Sequence, residues 1–305
     1  MTKYLIIGTG GVGGSIAGFL ALAGNDVTCI ARGEHLRAIR ENGLHLKSGL
    51  KGNHLVKVKA CTADEYNDIA DVIFVCVKHY SLDSIKDILT RASNEDTLIL
   101  PILNIYNTGD KISTLVPSIK VLDGCIYIVG FVSGAGEITQ LGSVFRLIFG
   151  ARRGDDIPAE RLNEIATTLR DAGIKVEISD DISRSTFIKW SFISAMACTG
   201  AYYDVPMSAL QKQGNERDTF VGLSRESIEI GIKLGVNLHE GIDELVAAHL
   251  KVIDKLDPQS TASMQKDIAR NHDSEINGLL FDMIRLGKSV SVGMPTYEMV
   301  SQKFL

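Results

Sequence analysis

The spacing of apolar residues along the chain changes its period near residue 180. Before that point, short runs rich in β-branched residues, such as Asp26–Ala31, alternate with segments of helical periodicity. After it, apolar residues recur every three or four positions. The pattern predicts an α/β fold, with a parallel-sheet domain over residues 1–180 and an all-helical domain over residues 181–305.

The same periodicities predict the individual elements. In the first domain, strands are predicted at Tyr4–Ile7, Asp26–Ala31, Val72–Val77 and Thr97–Leu103, with a connecting strand at Leu55–Ala60. A glycine-punctuated β-meander is predicted at Gly124–Ser133, Glu137–Gln140 and Val144–Gly150, followed by a helix at Ala159–Ala172 and a closing strand at Lys175–Ile178. In the second domain, helices are predicted at Ile182–Ala201, Glu216–Leu234, His239–Ile253 and Ser274–Leu286.

A glycine-rich turn directly follows the first predicted strand. It has the GxGxxG spacing and consists of Gly8, Thr9, Gly10, Gly11, Val12 and Gly13. The first glycine permits a tight turn, the second lets a pyrophosphate approach the backbone, and the third lets the next helix pack against the strand. Because the turn lies inside a β-α-β pattern, it predicts a dinucleotide site rather than a turn that binds no ligand.

Two basic residues follow the ends of predicted strands and are candidates for contacting that dinucleotide. Arg32 comes after the second strand, where an arginine suits the 2′-phosphate of NADP and an acidic residue would suit NAD. Glu34, two residues later, argues partly against this interpretation. Lys78 follows Val72–Val77 and would reach the adenosine phosphate. For both, the alternative is a solvated surface side chain.

Reduction of a ketone needs a proton donor, and the sequence offers Lys189 for this role. Phe192, Ile193 and Met196 follow it at helical spacing, which places Lys189 on an apolar stripe. Partial burial there disfavours the ammonium form. The alternative is a lysine whose head extends from the core edge into water. Asn104, after Thr97–Leu103, would orient the nicotinamide or the reacting carbonyl, unless it only caps its strand.

Ser263 and Glu275 carry weaker signals when they are taken alone. Ser263 lies in a polar run, where a solvated hydroxyl is the ordinary interpretation. Glu275 begins a predicted helix, where a glutamate usually complements the helix dipole.

Eight segments, taken in order, resemble the ketopantoate reductase (2-dehydropantoate 2-reductase) family. They are GTGGVGG from residue 8, ARGEHLRAI from 31, VCVKHYSLD from 75, PILN ending at 104, GEITQLG from 136, FIKW around 189, SMQKD from 263 and SEI from 274. The resemblance implies a Rossmann-type domain joined to a helical domain. It implies that Lys189 is the general acid and that Asn104 orients substrate and nicotinamide. It implies that Ser263 and Glu275 bind the substrate and that Arg32 and Lys78 contact NADPH.

The chain departs from the family pattern at positions that concern the substrate. The family commonly has asparagine four and eight residues after the lysine, where this chain has Ile193 and Ala197, and glycine where it has Ile105. A hydroxyl-bearing substrate therefore loses partners worth about 1 kcal/mol each. Tyr202, Tyr203 and Ser194 are candidates to compensate.

Composition and charge narrow the possible partners of the protein and its cellular compartment. A formal net charge of −5 argues against a nucleic-acid partner, and no apolar window has the length of a membrane span. The five scattered cysteines have no metal-type spacing and fit a reducing compartment, so we expect a cytoplasmic protein without a signal peptide. The oligomeric state stays open, with a homodimer as one alternative.

The function expected is NADPH-dependent reduction of 2-dehydropantoate to (R)-pantoate in pantothenate and coenzyme A synthesis. Three alternatives remain: a paralogue that reduces a different 2-oxo acid, a non-catalytic NADP(H) sensor, and a hydroxyacid-type or opine-type dehydrogenase that oxidises its substrate. Arg32 favours the reductive direction, since it indicates NADP.

Overall fold

The computed structural model describes all 305 residues, which divide into two compact units. The first unit comprises Met1–Leu103 and Asn107–Ser185, and the second comprises Thr186–Leu305 together with the short segment Asn104–Tyr106. The chain therefore contributes three residues to the second unit long before its main crossing at residue 185.

Eleven strands and five helices make up the first unit. The strands are β1 (Lys3–Ile7), β2 (Asp26–Ile30), β3 (Leu44–Ser48), β4 (Gly52–Val56), β5 (Lys59–Cys61), β6 (Val72–Val75), β7 (Leu98–Pro101), β8 (Lys120–Val121), β9 (Asp123–Gly134), β10 (Glu137–Gly150) and β11 (Lys175–Ile178). The helices are α1 (Gly11–Leu22), α2 (Gly33–Asn42), α3 (Lys86–Ala92), α4 (Thr108–Leu115) and α5 (Ala159–Asp171).

Six of these strands form the predicted parallel sheet, in the order β5-β2-β1-β6-β7-β8. Numbered within the sheet, this is the 3-2-1-4-5-6 order of dinucleotide-binding folds, whose strand order reverses between β1 and β6. Ile7 at the end of β1 is in register with Ile30 of β2 and Val75 of β6. The residues that follow these three positions therefore share one edge of the sheet, where such folds bind ligands.

A second sheet contains the predicted meander. Its order is β11-β10-β3-β4, and β9 pairs antiparallel with β10. The sequence suggested separate strands at Glu137–Gln140 and Val144–Gly150, but β10 runs through both because a register shift between Leu141 and Phe145 absorbs the polar interruption. The connecting strand predicted at Leu55–Ala60 is instead the end of β4 and the start of β5.

The second unit is all-helical, as predicted. Its helices are α6 (Ile182–Tyr203, whose first four residues belong to the first unit), α7 (Met207–Leu210), α8 (Asn215–Lys233), α9 (Ile242–Ile253), α10 (Ser263–Ala269), α11 (Asp282–Ser289) and α12 (Pro295–Ser301). The predicted helix at Ser274–Leu286 begins with a π-helical turn at Asn277–Phe281, so Glu275 lies in a turn just before it. The short helices α7, α10 and α12 were not predicted.

Helix α6 is buried along most of its length within the second unit. Trp190 donates through Nε1 to the Gly278 carbonyl at 3.3 Å, and Ser194 Oγ donates to the Leu279 carbonyl at 2.5 Å. These bonds attach the π-helical turn to α6. None of the helices is both long enough and apolar enough to span a membrane.

Candidate active site

The glycine turn after β1 has the geometry that its spacing predicts. Gly8 has a φ of +97°, and a Cβ there would lie 2.9 Å from the Cys76 carbonyl, so the turn packs closely on the chain that leaves β6. A Cβ on Gly13 would lie 2.2 Å from the Gly8 carbonyl oxygen and 2.9 Å from Ile6 Cγ2, which fits close packing of α1 on β1. Side chains at these two positions would collide with the fold itself.

Gly10 differs from the other glycines of the turn, because a Cβ there would meet nothing within 4 Å. The absent side chain leaves open space next to the N-terminus of α1, whose first turn has no side-chain cap and no acidic residue. The backbone N–H groups of such a turn are unpaired within the helix and attract anions. The turn therefore fits the pyrophosphate of a dinucleotide.

Arg32 lies at the N-cap position of α2, two residues after β2 ends, and its side chain is exposed. Glu34, which argued against a phosphate site, forms an ion pair with Arg37 at 3.0 Å. Because Glu34 is paired with Arg37, it competes less with a phosphate for the Arg32 guanidinium. Lys78 is half-buried and begins the 3-10 turn His79–Ser81, three residues after β6.

In the second unit, Asn104 and Lys189 are in direct contact although 85 residues separate them in the chain. Lys189 Nζ donates to Asn104 Oδ1 at 2.6 Å, and only 5% of Lys189 is exposed. Burial of an ammonium is costly unless hydrogen bonds compensate it, and the amide oxygen supplies one of them. The pair holds a proton donor at a defined position.

Aromatic rings fix both members of this pair. Tyr106, two residues after Asn104, stacks on Trp190 at a centroid distance of 5.7 Å and meets Phe187 edge-on at 5.0 Å. Because Trp190 and Phe187 flank Lys189 on α6, the rings anchor the Asn104–Tyr106 segment against the turn of α6 that carries the lysine. The sequence did not predict this packing of Tyr106 against Trp190 and Phe187.

One turn beyond the lysine, the Lys189 face of α6 is apolar. Ile193 is half-buried and Ala197 is 1% exposed. Two of the three candidates to compensate already have partners, since Ser194 bonds to Tyr297 at 2.6 Å and Tyr203 bonds to Thr219 at 3.0 Å. The third candidate, Tyr202, meets the Tyr203 ring edge-on at a centroid distance of 4.8 Å.

The remaining two predicted residues differ in exposure. Glu275 is 4% exposed and lies in the turn before the π-helix, where its carbonyl accepts from the Leu279 N–H at 2.9 Å. Ser263 is exposed and is the first residue of α10.

Sequence reasoning missed one residue that shapes the nucleotide turn, Gly130 of β9. A Cβ on Gly11 would lie only 2.1 Å from the Gly130 carbonyl oxygen, so α1 and β9 meet backbone to backbone. A glycine inside an otherwise apolar strand often marks such an approach, and this signal was present in the sequence.

Two family models and several known relatives match most of this chain. Residues 4–154 match the family model described as "Ketopantoate reductase PanE/ApbA", and residues 181–304 match "Ketopantoate reductase PanE/ApbA C terminal". An uncharacterised oxidoreductase of Bacillus subtilis is 26% identical over 98% of this chain and 96% of its own length. A 2-dehydropantoate 2-reductase of Pyrococcus horikoshii is 28% identical over 96% of this chain and 93% of its own length.

Among solved structures, D-mandelate dehydrogenase in complex with NADH and anilino(oxo)acetate has a similar fold. Its TM-score is 0.89 at 22% identity, with 99% of this chain and 96% of that chain covered.

Proposed function

Because this chain belongs to the ketopantoate reductase family of oxidoreductases, we propose that it reduces 2-dehydropantoate to (R)-pantoate with NADPH. This would be a step in pantothenate and coenzyme A synthesis. Curated relatives that match almost the whole chain at 26% and 28% identity bear the name 2-dehydropantoate 2-reductase.

The observation that carries the proposal is the buried contact between Lys189 Nζ and Asn104 Oδ1 at 2.6 Å. NADPH, held by the glycine turn and Arg32, would supply a hydride to the carbonyl carbon of the substrate. Lys189 donates the proton that the carbonyl oxygen needs as negative charge develops on it. Asn104 positions the ammonium and keeps an amide N–H₂ group available for orienting substrate or nicotinamide.

The preference for NADPH rests on Arg32, with Lys78 as a second contact. An exposed guanidinium at the start of α2 suits a 2′-phosphate, and Glu34 is engaged by Arg37. In the substrate-binding half, Ser263 would donate to the carboxylate of the substrate, and Glu275 would accept from a hydroxyl at its far end.

A second candidate substrate is a 2-oxo acid with an apolar side chain. Ile193 and Ala197 favour it, because neither side chain can bond to a hydroxyl. D-mandelate dehydrogenase, which shares the fold, acts on an acid whose side chain is an aromatic ring. A non-catalytic NADP(H) sensor is disfavoured, since it would need neither a buried Lys189 nor its bond to Asn104.

The test is an NADPH-consumption assay with a panel of 2-oxo acids that includes ketopantoate and phenylglyoxylate, repeated with NADH. We expect the highest kcat/KM for ketopantoate with NADPH, and Arg32→Ala should weaken NADPH binding without changing that of NADH. Turnover of phenylglyoxylate alone would favour the second candidate, and no turnover of any acid would favour the sensor.

A further inference from the structure

His35 connects the start of α2 with the nucleotide turn and with the turn between β9 and β10. It lies in the first turn of α2, three residues after Arg32, and its Nδ1 accepts the backbone N–H of Gly136 at 2.9 Å across 101 residues of sequence. Gly136 has a φ of +71° and belongs to the turn between β9 and β10. The bond therefore attaches the start of α2 to that turn.

Burial and the Gly136 bond both favour the neutral form of the ring. Because Nδ1 accepts a hydrogen bond, the neutral ring carries its proton on Nε2, which is buried. Burial lowers the pKa of His35, although backbone contacts with Thr9 and Gly134 act in the opposite direction. A neutral His35 thus lies between the glycine turn that contains Thr9 and the β9–β10 turn.

Thr9 makes the matching connection from the other side. Its Oγ1 donates to the Ile30 carbonyl at 2.9 Å, and its backbone N–H donates to the same oxygen at 3.3 Å. Ile30 ends β2, so Thr9 fixes the chain immediately before Arg32 while His35 fixes the chain immediately after it. The exposed Arg32 side chain thus extends from a short segment that is anchored at both ends.

Apart from the bonds of His35, no side-chain hydrogen bond joins the first turn of α2 to another segment. Arg32 caps α2 without a side-chain bond, and a Cβ on Gly33, which has a φ of +58°, would meet nothing within 4 Å. Without the Gly136 bond, α2 would be held by the buried Leu36 and Ile39 and by Arg40, which donates to the Ala60 carbonyl at 3.0 Å, and all three lie further along the helix than Arg32. The direction of Arg32 is therefore sensitive to His35.

We propose that His35 is a positioning residue for cofactor selection, which holds the start of α2 so that Arg32 points at the 2′-phosphate of NADPH. The inference rests on the proposed preference for NADPH. His35 itself touches neither the phosphate nor the substrate. Its contribution should therefore appear in the discrimination between NADPH and NADH rather than in the chemical step.

Three variants test this by fluorescence titration of NADPH and of NADH without substrate. His35→Leu removes the acceptor and keeps an apolar group of similar size. His35→Asn restores an acceptor, Oδ1, at the position of Nδ1. Ile39→Val loosens the packing of α2 but leaves the Gly136 bond intact, so it is the control for reduced stability.

We expect His35→Leu to reduce the ratio of the NADH to the NADPH dissociation constant about fivefold, through weaker NADPH binding, as fits the loss of one hydrogen bond. His35→Asn and Ile39→Val should keep the ratio within about twofold of the unmutated protein, a change below the energy of one such bond. An unchanged ratio in His35→Leu, or equal weakening of both cofactors, would overturn the inference. Equal affinities in the unmutated protein would instead refute the proposed cofactor preference.

Discussion

Lys189 illustrates how a single buried charge links the fold to the proposed chemistry. A lysine that is 5% exposed cannot direct its ammonium into water, so its position depends on the partners that the fold provides. The bond to Asn104 is a charge-assisted one, a class worth about 1.5–3 kcal/mol. The residue therefore needs Asn104 for stability and for orientation.

We predict that Lys189→Met lowers kcat by about two to four orders of magnitude, the usual contribution of general acid catalysis, while NADPH still binds. Methionine keeps most of the buried stem but has no proton to give. Steady-state kinetics and NADPH titration measure the two effects. Lys303→Met is the control, because Lys303 bonds to the carbonyls of Ala201 and Tyr202 near the end of α6 and has no place in the mechanism. A kcat close to normal in Lys189→Met would assign the proton to another group.

Substrate recognition at the residue scale depends on a balance between Glu275 and Ile193. A carboxylate that accepts a substrate hydroxyl contributes about 1.5–3 kcal/mol, roughly twice a neutral partner. The buried Glu275 should therefore outweigh the side-chain amides that are absent at positions 193 and 197.

We predict a higher kcat/KM for ketopantoate than for its deoxy analogue, 2-oxo-3,3-dimethylbutyrate, because an analogue without the hydroxyl cannot donate a hydrogen bond to the Glu275 carboxylate. Glu275→Ala should reduce the difference in kcat/KM between the two acids, and Ile193→Asn should increase that difference. Parallel kinetics on both acids give the ratio. Equal turnover of the two acids by the unmutated enzyme would favour an apolar substrate.

At the scale of elements, the contact between α1 and β9 makes two neighbouring glycines differ in their roles. Gly11 meets the backbone of Gly130 at a distance that excludes a Cβ, whereas the space beside Gly10 is open. Gly10 has a φ of −82°, which alanine adopts without strain. A side chain at Gly11 should therefore reduce the stability of the fold, whereas a side chain at Gly10 should reduce cofactor binding.

We predict that Gly10→Ala folds with a nearly unchanged melting temperature but binds NADPH at least about tenfold more weakly, since the methyl group occupies the space for the pyrophosphate. Gly11→Ala should lower the melting temperature, because α1 must move away from β9. Calorimetry and NADPH titration on both variants test this pair. Normal NADPH affinity in Gly10→Ala would contradict the site.

The elements also show which parts of the fold the sequence could reveal. Four strands of the parallel sheet, β1, β2, β6 and β7, were predictable, because buried strands such as Val72–Val75 are continuous apolar runs. The short β8 was not predicted, and β5 was predicted only in part. The pairing of β3 with β10, from Glu137↔His45 to Gln140↔Ser48, was not predictable, since it joins segments about 90 residues apart. Helix α10 has only seven residues, too few for a clear period.

The candidate site was predictable to a similar extent. The glycine turn was predicted from its GxGxxG spacing, and Asn104 was predicted from its position at the end of a strand. The bond between Asn104 and Lys189 depends on a three-residue segment that packs through Tyr106 into the second unit. His35 gave no signal, because its partner is a backbone N–H, which every residue except proline carries.

At the scale of the whole molecule, each unit has its own hydrophobic core. Phe19 and Phe145 belong to a hydrophobic core of the first unit, whereas Phe187 and Phe220 belong to the hydrophobic core of the second unit. One buried titratable group in each unit, Asp123 in the first and His249 in the second, makes stability respond to pH, and the two act in opposite directions. Burial raises the pKa of Asp123 in the first unit to about 6, so the stability from its protonated form is lost as pH rises through 6.

His249 in the second unit acts in the other direction. It is 3% exposed, its Nδ1 lies 3.3 Å from Ser224 Oγ, and its ring meets Phe192 edge-on at 5.4 Å. Burial lowers its pKa from 6.5 to about 4. Above pH 6.5 the ring is neutral in both the folded and the unfolded protein. Between pH 6.5 and pH 4 only the unfolded chain gains the proton, so the free energy of unfolding decreases as the pH is lowered through that range.

We therefore predict that acidification from pH 7 to pH 5 costs the protein about 2 kcal/mol through His249 alone, the equivalent of about 1.5 pKa units. His249→Gln removes the titrating ring and should lose less stability over the same interval. The measurement is the free energy of unfolding by urea at both pH values, compared between the two proteins. Since Asp123 is present in both, its opposite contribution cancels in the difference. Parallel pH dependences would mean that the ring of His249 is protonated as readily in the folded protein as in the unfolded chain.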